Sequence, residues 1–121
     1  MARLKLNLKN NLLASDTEAT GINPWGDVKR WGFYPARPFA FSFCDSEGNT
    51  DYVRWEVEPK TRQVIPEPNS LKILKEIYTD PTLIHVGHNF EFDVRMLHFT
   101  GVEVKGRTVQ SVALVSLYSK I

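Results

Sequence analysis

The sequence has a single cysteine, no long apolar run and almost no excess of charge, and each of these features excludes a class of protein. Cys44 is alone among 121 residues, which excludes an internal disulfide framework and a cysteine-ligated zinc site. No stretch approaches the roughly 18 consecutive apolar residues of a membrane helix, and the N-terminal residues lack the apolar region of a secretory signal. We therefore expect a soluble, intracellular protein.

The composition is that of one ordinary globular domain. Hydrophobic residues make up 42% of the chain and charged residues 24%, which argues against disorder, collagen and coiled coil. Fifteen basic residues against 14 acidic ones give a net charge of +1. No overall basic field therefore indicates nucleic-acid binding, although a metal site can bind phosphate without one.

Apolar patterning predicts an α/β fold. Short apolar or alternating runs predict strands at residues 12–15, 39–43, 52–57 and 83–86, with a hairpin turn at 45–49. Helical spacing predicts one helix capped by Asn69 or Ser70 and another from Phe90 to Gly101. Residues 59–68 show no clear element, and residues 109–117 could form a further helix. A helix that crosses between two buried strands makes those strands parallel.

The first cluster of interest ends the first predicted strand. Asp16 and Glu18 stand two residues apart, so on a strand both project from the same face. Like charges held this close repel, and a hard divalent cation with oxygen ligands, Mg²⁺ or Mn²⁺, is the natural partner. Gly21 then allows a tight turn. An ordinary turn with two solvated acids is the alternative interpretation.

The second cluster runs from a predicted strand into a helix. Asn89 and Asp93 follow Gly87 there, at the kind of strand end where open α/β sheets bind ligands. Asn89 alone is adequately explained as a helix cap, and Asp93 alone by its favourable interaction with the helix N-terminus. His85 and His88 could ligate a metal, but packing or hydrogen bonding is the stronger interpretation.

Taken together, the two clusters resemble motifs I and II of the DEDD 3′–5′ exonucleases, proofreading domains with an RNase H-like mixed sheet flanked by helices. The matching patterns are Asp16-x-Glu18-x-x-Gly21 and, about 70 residues later, Asn89-x-x-Phe92-Asp93. Residues 88–97 and 101–106 are similar to the version attached to family A DNA polymerases.

This resemblance implies an activity and a set of site residues. Asp16, Glu18 and Asp93 would be catalytic and would be three of the four carboxylates that hold two Mg²⁺ or Mn²⁺ ions. The reaction would be hydrolysis of the terminal phosphodiester at the 3′ end of single-stranded DNA. Further substrate-binding positions would be Thr17, Ile22, Asn89 and Phe92, with Ile22 wedged against the terminal base. A polymerase domain as partner and the cytoplasm of a bacterial or phage-infected cell are implied as well.

Basic residues in an aromatic loop add a second candidate contact with nucleic acid. Lys29, Arg30 and Arg37 lie among Trp25, Trp31, Phe33 and Tyr34, a mixture that can hold phosphates and stack bases. Packing within the loop explains the tryptophans equally well.

The chain departs from the family pattern after motif II. The family has a third motif, a Tyr or His followed by the fourth Asp, whereas Glu103 is the only acid after Asp93 here. We therefore expect residues 1–121 to match the N-terminal two-thirds of an exonuclease domain. Two alternatives stay open: a degenerate module that binds nucleic acid or a polymerase without cutting, and an RNA-directed exonuclease of the same superfamily.

Overall fold

The computed structural model describes residues 6–8, 10–21 and 35–110, which form a mixed sheet and two helices. The strands are β1 (Leu12–Ala19), β2 (Pro38–Asp45), β3 (Thr50–Arg54), β4 (Glu56–Val57), β5 (Val64–Ile65), β6 (Ile84–Gly87) and β7 (Arg107–Gln110). The helices are α1 (Pro68–Tyr78) and α2 (Phe90–Phe99). The predicted α/β class is confirmed.

Five strands form the main sheet, in the order β3-β2-β1-β6-β7. β1 pairs antiparallel with β2, and β2 pairs antiparallel with β3 through the turn at residues 45–49. β6 and β7 continue the sheet in parallel with β1, as expected for strands joined by a crossing helix. The carboxyl ends of β1 and β6 therefore lie at the same edge of the sheet.

The core lies between the sheet and the two helices. Alternate residues of β1, among them Leu13, are buried, because one face of the strand packs against the helices. The largest cluster of buried side chains joins this face to both helices and comprises Leu13, Phe41, Phe43, Val53, Trp55, Leu74, Ile77, Tyr78, Leu83, Phe90, Leu97 and Val102.

The opposite face of the sheet is open within the described part of the chain. Leu12 is 39% exposed there and Tyr52 62%. Asp16 and Glu18 occupy the same open face, because both alternate with the buried residues of β1. We refer to this surface as the open face.

Three local predictions are wrong. α1 begins at Pro68, because proline favours the first turn of a helix. Its N-cap is Glu67 and not Asn69 or Ser70. The Glu67 carboxylate accepts hydrogen bonds from the backbone N–H groups of Asn69 and Ser70, at 3.0 and 2.8 Å. Residues 59–68 contain β5, which forms a hairpin with β4. The possible helix at residues 109–117 does not begin at Val109, because Val109 and Gln110 lie in β7 and pair with β6; residues 111–117 lie outside the described residues.

The strand predictions erred chiefly in length. β1 continues to Ala19, beyond the predicted end near residue 15, because β2 pairs with it as far as that residue. Both acids of the first cluster therefore lie within the strand. Among the described residues, no helix is long and apolar enough to span a membrane.

Candidate active site

The acids of the first cluster share one face of β1, as predicted. Asp16 and Glu18 are both exposed, while Ser15 and Thr17 between and beside them are buried at 9% exposure each. The Asp16 carboxylate accepts a hydrogen bond from the Thr17 backbone N–H at 3.1 Å. Two acids thus stand on the open face at the carboxyl end of the first strand.

The third acid comes from α2 and approaches β1 from the helix side. Asp93 is only 4% exposed, and its carboxylate accepts a hydrogen bond from the Thr17 hydroxyl. Burial raises the pKa of the Asp93 carboxyl to about 6; the Thr17 hydrogen bond lowers it in part, and the negative charge of Asp16 raises it further. The tertiary structure therefore brings Asp16 and Asp93 close enough for their charges to interact, although 77 positions separate them in the sequence.

Gly87 provides the space for this approach. A Cβ atom at this last residue of β6 would lie 3.3 Å from Asp93 Oδ2, and it would overlap the Phe90 ring. Only a residue without a side chain leaves this room. The role of Gly87 was not anticipated from the sequence, although a glycine between a buried strand and a helix is a recognisable signal.

Gly21 is not crowded by the described residues. A Cβ atom added there would meet Ala36 Cβ at an ordinary contact distance of 3.7 Å. The residues that would complete the predicted tight turn, from Ile22 onward, lie outside the described residues.

Thr17 lies on the helix-covered face, away from the open face. Its hydroxyl is occupied by Asp93, so Thr17 holds the Asp93 carboxylate in place instead of facing a substrate. A buried threonine between two exposed acids is the sequence signal for this role.

The other substrate-binding positions fall into two groups. Asn89 is exposed at the N-cap of α2 without a side-chain capping bond, Phe92 is half-buried one turn along, and Arg37 lies just before β2. Asn89 and Phe92 thus share the N-terminal turn of α2 with Asp93. Ile22, Lys29 and Arg30 lie outside the described residues.

The donor chemistry of the site fits a hard divalent cation. Carboxylate oxygens are what Mg²⁺ and Mn²⁺ prefer, and a cation between Asp16 and Asp93 would replace their repulsion by attraction. Within residues 6–8, 10–21 and 35–110, however, no three potential ligands are gathered into a ready-made group. Asp16 and Asp93 already interact through their charges, and Glu18 lies two residues from Asp16 on β1.

His85 does not belong to this site. It is fully buried and stacks on Tyr78, with ring centroids 4.9 Å apart, and on Phe90, with centroids 6.0 Å apart. Burial lowers its pKa, against the opposing charge of Asp80. These ring contacts support the packing interpretation of His85, and neither ring nitrogen has a hydrogen-bond partner among the described residues.

Comparison with solved structures finds proteins that share this fold. The EXD2 exonuclease domain soaked in Mg superposes with a TM-score of 0.55 at 19% identity, over 90% of this chain and 48% of that one. NrnC of Brucella melitensis superposes with a TM-score of 0.51 at 24% identity, over 84% of this chain and 44% of its own, and its form with bound Mg²⁺ gives the same values. The fold is RNase H-like.

These likenesses concern the fold, and the chain spans about half the length of the solved structures that it matches. No family model and no curated protein matches the sequence. The predicted RNase H-like mixed sheet flanked by helices is thus confirmed.

Proposed function

We propose that this chain is the motif I and motif II part of a 3′–5′ exonuclease that hydrolyses the terminal phosphodiester of single-stranded DNA. The observation that carries the proposal is the approach of Asp93 to Asp16 across Thr17, at the carboxyl end of β1. It gives a physical reason for the spacing of the two sequence motifs. The same fold in EXD2 and NrnC, an exonuclease domain soaked in Mg and a protein with bound Mg²⁺, supports this function.

In this proposal Asp16, Glu18 and Asp93 hold divalent metal ions. A pair of such ions activates water and stabilises the leaving oxygen in phosphodiester hydrolysis. The side chains themselves have distinct tasks: Thr17 orients Asp93, and Gly87 leaves the room for it. Asn89 and Phe92, beside Asp93 at the start of α2, would contact the terminal nucleotide, and by the resemblance Ile22 would do the same.

The proposal extends to the setting of the reaction. Residues 1–121 would be the N-terminal two-thirds of a proofreading domain that acts beside a polymerase, of family A by the resemblance of residues 88–97, in the cytoplasm of a bacterial or phage-infected cell. The fourth carboxylate of the family pattern is not supplied after Asp93 by these 121 residues, since Glu103 is the only acid there.

A second candidate function is a module that binds nucleic acid or a polymerase without cutting. It is favoured by the lack of a gathered three-ligand group among the described residues and by the burial of Asp93. An RNA-directed exonuclease would use the same carboxylates, so it differs from the proposal only in its substrate.

Metal binding is the first test, because it does not require turnover. Mn²⁺ should broaden the NMR signals of residues around Asp16, Glu18 and Asp93 before any others, and Asp16→Ala should remove this effect. Glu76→Gln, an exposed change on α1, is the control and should leave the broadening unchanged. Equal broadening in Asp16→Ala and in the unmodified chain would contradict the metal site.

Release of mononucleotides from a 3′-labelled single strand is the second test. Without a fourth carboxylate the rate should be low, because loss of one ligand costs several kcal/mol of transition-state stabilisation, about 10³-fold in rate. Any release should need Mg²⁺ and disappear in Asp16→Ala and Asp93→Ala. Localised Mn²⁺ binding with no release would favour the non-cutting module, whereas faster release from an RNA strand would favour the RNA-directed enzyme.

A further inference from the structure

Two clefts that share one arginine lie beside the candidate active site. The first has a volume of about 560 Å³, and its lining includes Thr20, Arg54, Glu56 and Arg62. The second has a volume of about 370 Å³, and its lining includes Arg37, Arg62 and Phe99. Arg62 lines both, so the two clefts adjoin at this residue, and we call them together the arginine cleft.

Strand register places Arg54 on the same level of the open face as Glu18. Ala40 of β2 is opposite Glu18 on one side and opposite Arg54 of β3 on the other. Neighbouring strands are about 4.8 Å apart, so Arg54 lies roughly 10 Å from Glu18 across the sheet. Only the small side chain of Ala40 stands between them on this level.

Arg37 is joined directly to the end of β1. Its backbone N–H donates to Thr20 Oγ1 at 3.0 Å, and the Thr20 N–H donates to the Arg37 carbonyl at 3.0 Å. Its guanidinium lies 4.0 Å from the centroid of the Phe99 ring, a cation–π contact that fixes the orientation of the charge. Arg37 is thus held beside Thr20, which lies two residues beyond Glu18 and four beyond Asp16.

Arg62 is held by the turn of the β4–β5 hairpin. Its φ of 60° is unusual for a residue other than glycine, and its N–H donates to the Glu58 carbonyl at 2.7 Å. Among the described residues the ion pairs join Arg95 to Glu91 and Lys105 to Glu103. The charges of Arg54 and Arg62 are therefore not neutralised by an ion pair within that part of the chain.

We propose that the arginine cleft binds the backbone phosphates of a nucleic-acid strand just upstream of the bond held at Asp16, Glu18 and Asp93. This inference rests on the proposed function and adds to it a binding surface formed by Arg37, Arg54 and Arg62. The ligand class is a single-stranded polyphosphodiester, recognised through its phosphates and without sequence preference.

The arginines of the cleft would offset the repulsion between the acids of the site and a nucleic-acid strand. The negative charges of Asp16, Glu18 and Asp93 repel a polyanion, and the protein has no large positive net charge to offset this repulsion. Arginine is suited to the task, because its guanidinium binds phosphate oxygens in a bidentate manner. Among the described residues, Glu56 is the one acid in the lining of the first cleft, and the lining of the second includes none.

Binding measured without metal tests the cleft separately from the nuclease. Fluorescence anisotropy of a labelled single-stranded oligonucleotide in EDTA, over a series of salt concentrations, gives both affinity and salt slope. Each phosphate contact contributes about 0.7 to the slope for a single strand, so Arg54→Gln combined with Arg62→Gln should lower the slope by about 1.4. It should also weaken binding about tenfold at low salt, equally for oligo-dT and oligo-dC.

The control is Arg107→Gln, the same change of charge on the exposed edge strand β7 at the other end of the sheet. It should alter the affinity and the slope little. Unchanged binding in the double variant, or an equal loss in Arg107→Gln, would overturn the arginine cleft. Loss of Mn²⁺ binding or of nuclease activity in Asp16→Ala bears on the proposed function alone, so the two can fail independently.

Discussion

The Tyr78 hydroxyl donates a hydrogen bond of 3.0 Å to Ser15 Oγ, joining the last residue of α1 to the residue that precedes Asp16. Tyr78 is fully buried and Ser15 is 9% exposed. Burial raises the pKa of the Tyr78 hydroxyl well above its usual range, against the lowering effect of Ser15, so the group stays a donor throughout the stable pH range. Helix α1 is thereby fastened to the strand that carries motif I.

Removing this bond should destabilise the fold. Tyr78→Phe leaves the Ser15 hydroxyl buried without its partner, and we expect a loss of about 1–3 kcal/mol in the free energy of unfolding. Ser15→Ala removes the other partner. In the double variant the two losses should not add, because both report the same bond. Urea denaturation of the four proteins measures this, and strict additivity would contradict the coupling.

The buried Asp93 carboxylate of the candidate active site should lower the stability of the fold at neutral pH, because burial raises its pKa. The pKa of the Asp93 carboxyl is about 6 in the folded state, against 3.8 for an ordinary aspartate. The folded state therefore binds more protons between these values, so the stability that Asp93 contributes is full below pH 3.8 and falls as the pH rises to 6. A shift of this size corresponds to about 2–3 kcal/mol.

Asp93→Asn should accordingly stabilise the metal-free protein at neutral pH, by up to about 2 kcal/mol, and give little or no gain near pH 4. Thermal unfolding at both pH values measures this. Glu76→Gln also removes one negative charge, but from an exposed position on α1, and it should show no such pH-dependent gain. A variant that is less stable than the unmodified protein at neutral pH would show that Asp93 is not destabilised by burial.

Two glycines near the site should respond differently to alanine. Gly87→Ala places a Cβ atom against Asp93 and the Phe90 ring, so we expect a loss of about 1–3 kcal/mol and displaced Asp93 signals in NMR spectra. Among the described residues, the new Cβ atom of Gly21→Ala meets Ala36 Cβ at an ordinary 3.7 Å, so this variant should keep its stability within about 0.5 kcal/mol of the unmodified value. Similar losses in both variants would contradict the assigned role of Gly87.

Replacing Arg62 by glycine should weaken the binding of nucleic acid without lowering the stability of the fold. Glycine relieves the left-handed backbone at φ 60°, and its greater entropy in the unfolded chain offsets part of this gain, so Arg62→Gly should change stability by about 0 to +1 kcal/mol. It should nevertheless weaken the binding of single-stranded oligonucleotides. Lys60→Gly, in the same turn without a positive φ, should lower stability by about 0.5–1 kcal/mol. A clear loss of stability in Arg62→Gly would contradict the conformation of the turn.

The α/β class, the placement of both acids of motif I on one face, and the helix that follows the third apolar run were all predictable from the sequence. Each depends on a local period: two residues for the alternation in β1, and 3.6 for the face of α2. The resemblance of the two motifs also indicated the fold that solved structures share. Local patterns of this kind are readable because neighbouring residues impose them.

Other features were decided only by the tertiary structure. The length of β1 depends on its pairing with β2. β7 forms because residues 107–110 pair with the edge of β6 that β1 does not occupy. The burial of Asp93, its raised pKa and its bond to Thr17 depend on how α2 packs on β1. The level shared by Glu18 and Arg54 depends on the register of three strands. A sequence determines the period of each element, but contacts between elements depend on packing and register, which join residues far apart in the chain.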